Sequence, residues 1–392
     1  MSRHPSAPVS NIDLYEERVL LDPYPAYQTL RDLGPAVWLE KYDMYVLARF
    51  KDVQEAMRNW QLFSSAQGVM MNQPMNDTLR GIVLCSDEPE HQVLRRVIAK
   101  PITPLAIKNH QELIIAEAEA LVERLVARRQ FDAAKDLAQY LPVTIVSNLV
   151  GLPEDGRERM LEWAAANFEC FGPINERTTK AFEIVKEMVH YAFTRCTRDN
   201  LKPDGWARAI WDAADRGEIP LDRPPLMMND YMGPSLDTTI FTTSSAIWLF
   251  AQHPDQWDAL RADETLIPGA INEVVRLESP LQGFSRVATA DVDLEGVTIP
   301  SGSRVIMLWG SANRDERKWT DPARFDVRRR NADHLGFGHG VHTCVGMHLA
   351  KMEITALLRA LLKRVKRFEL GETERVVNNV MHGLSRLDIT VH

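Results

Sequence analysis

Phe337-Gly338-His339-Gly340-Val341-His342-Thr343-Cys344-Val345-Gly346 is the stretch on which the reading of this chain turns. A single cysteine stands just before residues 345–365, where apolar side chains recur at helical spacing. At the start of a helix, free backbone N–H groups and the positive end of the dipole stabilise a thiolate. Glycines at 338, 340 and 346 let the backbone approach something flat and bulky, and let N–H groups turn towards the sulfur. A lone cysteine is more often a small buried hydrophobe. A cysteine nucleophile would need a facing histidine, and the ring of His342, only two residues away, need not face the sulfur. The glycine frame and the helix start count against both plainer readings.

The rest of the chain narrows the class. Its 392 residues are 45% hydrophobic and 26% charged, ordinary values for a globular protein able to bury a large core. The formal charge is −8, and no basic run stands out, so nucleic-acid binding is not expected. Cys85, Cys170, Cys196 and Cys344 form no C-x-x-C pair, which removes zinc and thioredoxin-like readings. Cysteines so scattered build no disulfide framework, and a reducing cytoplasm is the simplest compartment. Residues 1–11 are polar and contain proline; neither an apolar signal core nor a membrane-spanning run is visible, so soluble partners are expected.

Periodicity predicts a mainly α chain with a small β portion, organised as a single domain over 1–392. Residues 36–40 and 43–49 read as a hairpin, and 52–60 as a helix. Helical spacing follows over 110–128 and 137–150, with further helices at 156–169 and 175–199. Residues 225–252 are apolar on most sides and predict a buried central helix, kinked at Pro234 because proline supplies no backbone donor. Short strands are expected at 292–294, 297–299 and 304–308, joined by Gly296 and Pro300-Ser301-Gly302 turns.

The cysteine segment resembles the haem-binding signature of the cytochromes P-450, Phe-x-x-Gly-x-x-x-Cys-x-Gly, matched by Phe337, Gly340, Cys344 and Gly346. The resemblance implies the cytochrome P-450 fold, haem b as cofactor, Cys344 as the thiolate bound to its iron, and Phe337 packed beside the sulfur. Such a thiolate favours O–O cleavage by pushing electron density to the iron. Other segments resemble the family in chain order. Glu273-Val274-Val275-Arg276 has the family's Glu-x-x-Arg spacing, a buried ion network. Asp321-Pro322 and Phe325-Asp326 resemble the meander that supplies its third member, Arg324 or Arg328. His91, Arg95, Arg286 and His342 resemble the ligands of the haem propionates. Asp237-Thr238 resembles the acid–alcohol pair that feeds protons to oxygen chemistry without admitting bulk water. Ahead of that pair the chain departs from the family: Pro234-Ser235 replaces the usual small pair, which puts Ser235 beside the oxygen groove or in the relay.

Within the family, the chain resembles bacterial members that oxidise para-substituted benzoates, methoxybenzoates among them. The similar stretches are 167–173, 278–282, 310–315 and 336–338. That likeness implies that Phe168, Phe171 and Phe284 form a flat slot for one aromatic ring, filled out by Val83 and Leu281. At the polar end it points to Arg80, Asn229 and Asp230. Arg80 suits a carboxylate, whereas Asp230 disfavours one and suits a phenol or another neutral donor. The expected activity is a monooxygenase that uses O2 to hydroxylate or O-demethylate a small aromatic. A peroxygenase using hydrogen peroxide and a non-catalytic haem gas-binding protein are the alternatives. Electrons are expected from an iron–sulfur ferredoxin and its NAD(P)H-dependent reductase, docked near Arg96, Lys100 and Lys351.

Overall fold

The computed structural model describes residues 6–392; residues 1–5 of the polar N-terminal stretch lie outside the described residues. Helices dominate, and the strands gather into three small sheets. In chain order the strands are β1 (Val9–Ser10), β2 (Val37–Leu39), β3 (Met44–Leu47), β4 (Phe63–Ser64), β5 (Gln130–Asp132), β6 (Gly283–Ala288), β7 (Val292–Leu294), β8 (Val297–Ile299), β9 (Arg304–Leu308), β10 (Phe368–Arg375) and β11 (Leu384–Val391). The largest sheet runs β1-β2-β3-β9-β6-β4, with β3 and β9 parallel and β6 antiparallel to β9. The expected hairpin is β2 and β3, paired antiparallel around the short turn Glu40–Tyr42. β7, β8 and β9 fall where the alternation predicted them.

β6 is buried along its whole length, at all six residues. Successive side chains on a strand point to opposite faces, so Phe284 and Arg286 share one. Gly283 permits the pairing: a Cβ there would stand 2.1 Å from the Met307 carbonyl oxygen on β9.

The helix Gln111–Arg128 buries Ile114, Ala118, Leu121, Val122 and Leu125, the stripe its spacing predicts, and packs along the helix Met347–Leu362. The predicted central helix is broken rather than kinked. Short turns Pro224–Met227 and Asn229–Met232 precede it, and the long run is Asp237–Gln252. Pro234 has no N–H to give, and the Ser235 hydroxyl donates back to the Tyr231 carbonyl, so residues 233–236 leave the helical ladder. The long run is almost wholly buried although rich in Thr and Ser. Thr242, Thr243 and Ser244 solve this by donating their hydroxyls to carbonyls one turn back, at 2.7, 2.8 and 3.0 Å.

Glu273 and Arg276 lie on the helix Ile267–Glu278, fully buried, and meet in a two-point pair with both contacts at 2.8 Å. Arg276 also donates to the carbonyls of Asn313 and Pro322. The third member of the network is Arg329, whose Nε lies 2.9 Å from Glu273 Oε1. This corrects the expectation of Arg324 or Arg328. The side chain of Arg324 stays outside the network; only its carbonyl takes part, accepting from Arg276 and Arg329. The turn after Asp326 places residue 329, not 328, over the carboxylate, with the Asp326 N–H adding a contact of 3.3 Å.

Candidate active site around Cys344

The cysteine loop is shaped by two left-handed glycines, Gly338 (φ +75°) and Gly340 (φ +72°). Gly340 also has no room for a side chain, since a Cβ would sit 2.8 Å from the Met57 carbonyl oxygen. The Cys344 N–H donates to the Phe337 carbonyl at 2.7 Å, closing the loop on itself. Gly346 then caps the helix Met347–Leu362. The Cys344 side chain opens onto a cavity of about 240 Å³, reaching from this loop to the broken start of the central helix. Burial pushes the Cys344 thiol up, while the N–H of Gly346, Arg95, the N–H of Met347 and Lys351 act in the opposite direction. Phe337 lines the same wall, with the Lys351 ammonium 5.1 Å from its ring centroid.

Beside the loop, four donors converge: His91, His342, Arg286 and Arg95. The His91 and His342 rings lie 4.3 Å apart, and the Nε2 atoms of both are buried without a partner. His91 keeps its other nitrogen on Glu88, at 3.2 Å. Burial, then the charge of Arg286, then His91 and Arg95, drive His342 down to about 2. Arg286 is itself buried, pushed down to about 10 by desolvation, and its guanidinium donates to the adjacent Ser285 carbonyl. Arg95 donates to the Thr343 carbonyl. Buried donors and guanidinium groups left unpaired are costly unless something anionic completes them. Two propionates on the rim of a porphyrin would do so, while Cys344 met the iron from one face. The residues therefore fit haem b: Cys344 would hold the metal, and His91, Arg95, Arg286 and His342 the propionates.

Across the cavity from the cysteine, Pro234, Ser235, Thr238, Thr239 and Thr242 form the wall. The Thr238 hydroxyl donates to the Pro234 carbonyl at 3.0 Å, so its lone pairs remain free to accept. Asp237 precedes Thr238, buried, with no side chain bonded to it among the described residues, and burial pushes it up to about 7. Phe168, Phe171 and Phe284 stand in a row, with centroids 5.5 and 5.7 Å apart, and Trp309 extends it by 5.2 Å. Val83 and Leu281 also line the cavity, as do Asn229 and Asp230.

Arg80 does not join them. It is exposed and paired with Asp77 at 2.7 Å. Gly81, at φ +85°, turns the chain so that Ile82 and Val83 face inward and Arg80 outward; Arg223 covers that glycine and bonds its carbonyl at 2.8 Å. Three groups on the cavity wall escaped the sequence reading. Asn167 belongs to a quoted stretch but had no role, and its signal was only a polar residue on an apolar helix. Trp309 follows β9 without a motif. Glu353, on the cysteine helix, is buried and pushed up to about 8 by desolvation.

Comparison with known proteins agrees with this geometry. The family model for cytochrome P-450 matches residues 226–386. A protein named cytochrome p450 CYP199A2, from Rhodopseudomonas palustris, is 37% identical over 97% of this chain and 94% of its own length. Linalool 8-monooxygenase of Pseudomonas putida is 30% identical over 98% of both chains. Among solved structures, Mycobacterium marinum CYP268A2 in complex with pseudoionone superposes with a TM-score of 0.88 at 27% identity, covering 98% of this chain and 100% of that one.

Proposed function

The chain belongs to the cytochrome P-450 family, and from that premise we propose that this haem-b monooxygenase acts on a single-ring, para-substituted aromatic of the benzoate or phenol type. When bound, haem b supplies the reduction of O2 with two electrons, placing one oxygen atom in a C–H bond and releasing the other as water. Everything else falls to this chain's own residues. Cys344 would hold the iron. His91, Arg95, Arg286 and His342 would neutralise the propionates and so fix the tilt of the ring.

The single observation that carries the substrate reading is the row Phe168–Phe171–Phe284, continued by Trp309 along one side of the cavity. Aromatic side chains spaced in this way accept one flat ring by offset and edge contacts. Held there, a para substituent would point at the cysteine wall, and orientation then selects the C–H bond that reacts. A methoxy group hydroxylated on its methyl carbon collapses to a phenol and formaldehyde. Asp237, buried and pushed up to about 7, has the proton affinity of a relay group at neutral pH, and Thr238 accepts at the wall in front of it. O2 and an electron donor are required by the family's chemistry. A small iron–sulfur ferredoxin with an NAD(P)H-dependent reductase is the proposed donor. It would dock where Arg96, on the helix that carries His91 and Arg95, and Lys100, at its C-terminal cap, stand exposed. Among the described residues no helix is long and apolar enough to cross a membrane.

The test is a titration of holoenzyme with 4-methoxybenzoate, 4-methoxyphenol and an acyclic terpene alcohol, read as the haem spin-state shift and then as formaldehyde release. Shifts with the methoxy aromatics, and formaldehyde in step with electron consumption, are expected. A shift with the terpene alcohol alone would end the aromatic reading.

A further inference from the structure

One end of the cavity is polar, and among the described residues its polar groups are only partly satisfied. Asn167 and Asn229 are 1% and 8% exposed, both line the cavity, and the carboxamide oxygen of each has no hydrogen-bond partner. They are neighbours. A Cβ on Gly233 would stand 2.5 Å from Asn167 Nδ2 and 3.4 Å from the Asn229 carbonyl oxygen, so the glycine makes the space in which the Asn167 carboxamide rests against this turn. Asp230 follows directly on the same turn. It lies inside the protein yet keeps accessible surface, and that surface faces the cavity. Among the described residues its carboxyl accepts one hydrogen bond, a long contact of 3.4 Å from the Val83 N–H, which leaves most of its acceptor capacity unused.

An unpaired buried carboxamide or carboxyl costs free energy unless a ligand completes it. The ligand's chemistry follows from what is missing. Among the described residues that line the cavity, the permanent cation is Arg95, which bonds the Thr343 carbonyl on the cysteine wall and not this end. Arg80 points to solvent. The other unpaired donors on the wall lie elsewhere: the indole N–H of Trp309 stands at the far end of the aromatic row from Phe168, the neighbour of Asn167, and the buried His342 Nε2 belongs to the cysteine wall. A carboxylate ligand would bring only acceptors and a negative charge against Asp230. A hydroxyl or primary amide would donate to Asp230 and still accept from a carboxamide N–H.

We infer that Asn167, Asn229 and Asp230 form the head-group site of this cavity, and that it selects a ring bearing an uncharged hydrogen-bond donor, a phenolic hydroxyl or a primary carboxamide, over the carboxylate of a benzoate. The inference rests on the single-ring reading above and names the ligand class within it. Burial pushes Asp230 up to about 7, which suits a group that holds a neutral donor and no counter-ion.

The test uses holoenzyme and four ligands that share one methoxy-bearing ring: 4-methoxyphenol, 4-methoxybenzamide, 4-methoxybenzoate and 1,4-dimethoxybenzene. Binding is read as the optical shift of the haem and, independently, by calorimetry. The phenol and the benzamide should bind about tenfold or more tightly than the benzoate, since a made hydrogen bond replaces an unpaired charge. In Asp230→Leu the phenol should weaken about tenfold, while 1,4-dimethoxybenzene, which donates nothing, changes less than twofold. A benzoate that binds more tightly than the phenol overturns the inference and leaves the single-ring reading standing. Equal weakening of the phenol and 1,4-dimethoxybenzene in Asp230→Leu also overturns it, because Asp230 would then only tether Val83. If none of the four binds, the single-ring reading falls and the inference with it. The comparison of ligands in wild type decides the matter even if the variant fails to fold.

Discussion

Replacing Arg276 by methionine removes the guanidinium from the centre of the Glu273 network while keeping an apolar stem of similar length. Arg276 makes two 2.8 Å contacts with Glu273, and both side chains are fully buried. Breaking one side of a buried ion pair costs about 3–5 kcal/mol, because the remaining charge stays buried. At roughly 2.1 cal/mol/K per residue, the 392 residues unfold with an entropy of about 0.8 kcal/mol/K, so the midpoint should fall by about 4–6 °C. Arg329→Met should cost less, about 1.5–3 kcal/mol or 2–4 °C, since the Arg276–Glu273 pair survives. Arg324→Ala should move the midpoint by under about 1 °C, because that residue serves the network through its carbonyl. The assay is a thermal scan of each holoenzyme at one scan rate, followed at the haem band and by calorimetry. The effect also has a pH signature. Burial alone would raise Glu273, but the hydrogen bonds and charge of Arg276, with Asn331 and Arg329, bring it below its ordinary value. A depressed carboxyl stabilises above its unfolded pKa and loses that stabilisation in acid, so the gap between wild type and Arg276→Met is full at pH 7 and shrinks below about pH 4. Arg324→Ala lowering the midpoint as far as Arg329→Met would refute the assignment of the third partner.

Four other outcomes are expected. Cys344→Ser should abolish the strongly red-shifted carbon monoxide band of the reduced enzyme; a band that persists would assign the iron to another residue. Asp237→Asn should slow product formation, and Thr238→Ala should divert electrons to hydrogen peroxide, measured as peroxide per NAD(P)H consumed; unchanged coupling in both moves the relay to Ser235. Because Asp237 is pushed up to about 7, wild type should lose stability as pH rises from about 4 through 7, and Asp237→Asn should lose less over that window by chemical denaturation. Reduction by a ferredoxin should slow with ionic strength and in the Arg96→Glu, Lys100→Glu double variant; salt-independent rates would remove this docking face.

Why these residues were legible, or were not, comes down to whether their cause is local. Cys344 could be found because its signals are carried by adjacent residues: the left-handed turns at Gly338 and Gly340 and the helix start at Gly346. Glu273 and Arg276 could be paired because three positions along a helix is a contact by construction. The β7–β8–β9 strands followed from alternation and turn residues. Pro234 could be placed, but its effect could not be graded. Whether a proline kinks or breaks a helix depends on what takes up the freed carbonyls, and here Ser235 takes one of them.

What the chain by itself determined was therefore the fold family, the cysteine loop proposed to hold the iron, and the phenylalanines that line the cavity, all carried by short-range pattern. The tertiary structure alone decided the direction in which side chains point. Arg80 and Val83 lie three residues apart, yet the positive φ of Gly81 sends one to solvent and the other to the cavity. Arg329 displaced Arg324 and Arg328 because the turn after Asp326 sets which guanidinium reaches Glu273. Asn167 became part of the site only because Gly233, 66 positions away in the numbering, leaves room for its carboxamide. Contacts of this kind depend on how distant segments pack, and packing leaves no periodic trace in the segments themselves.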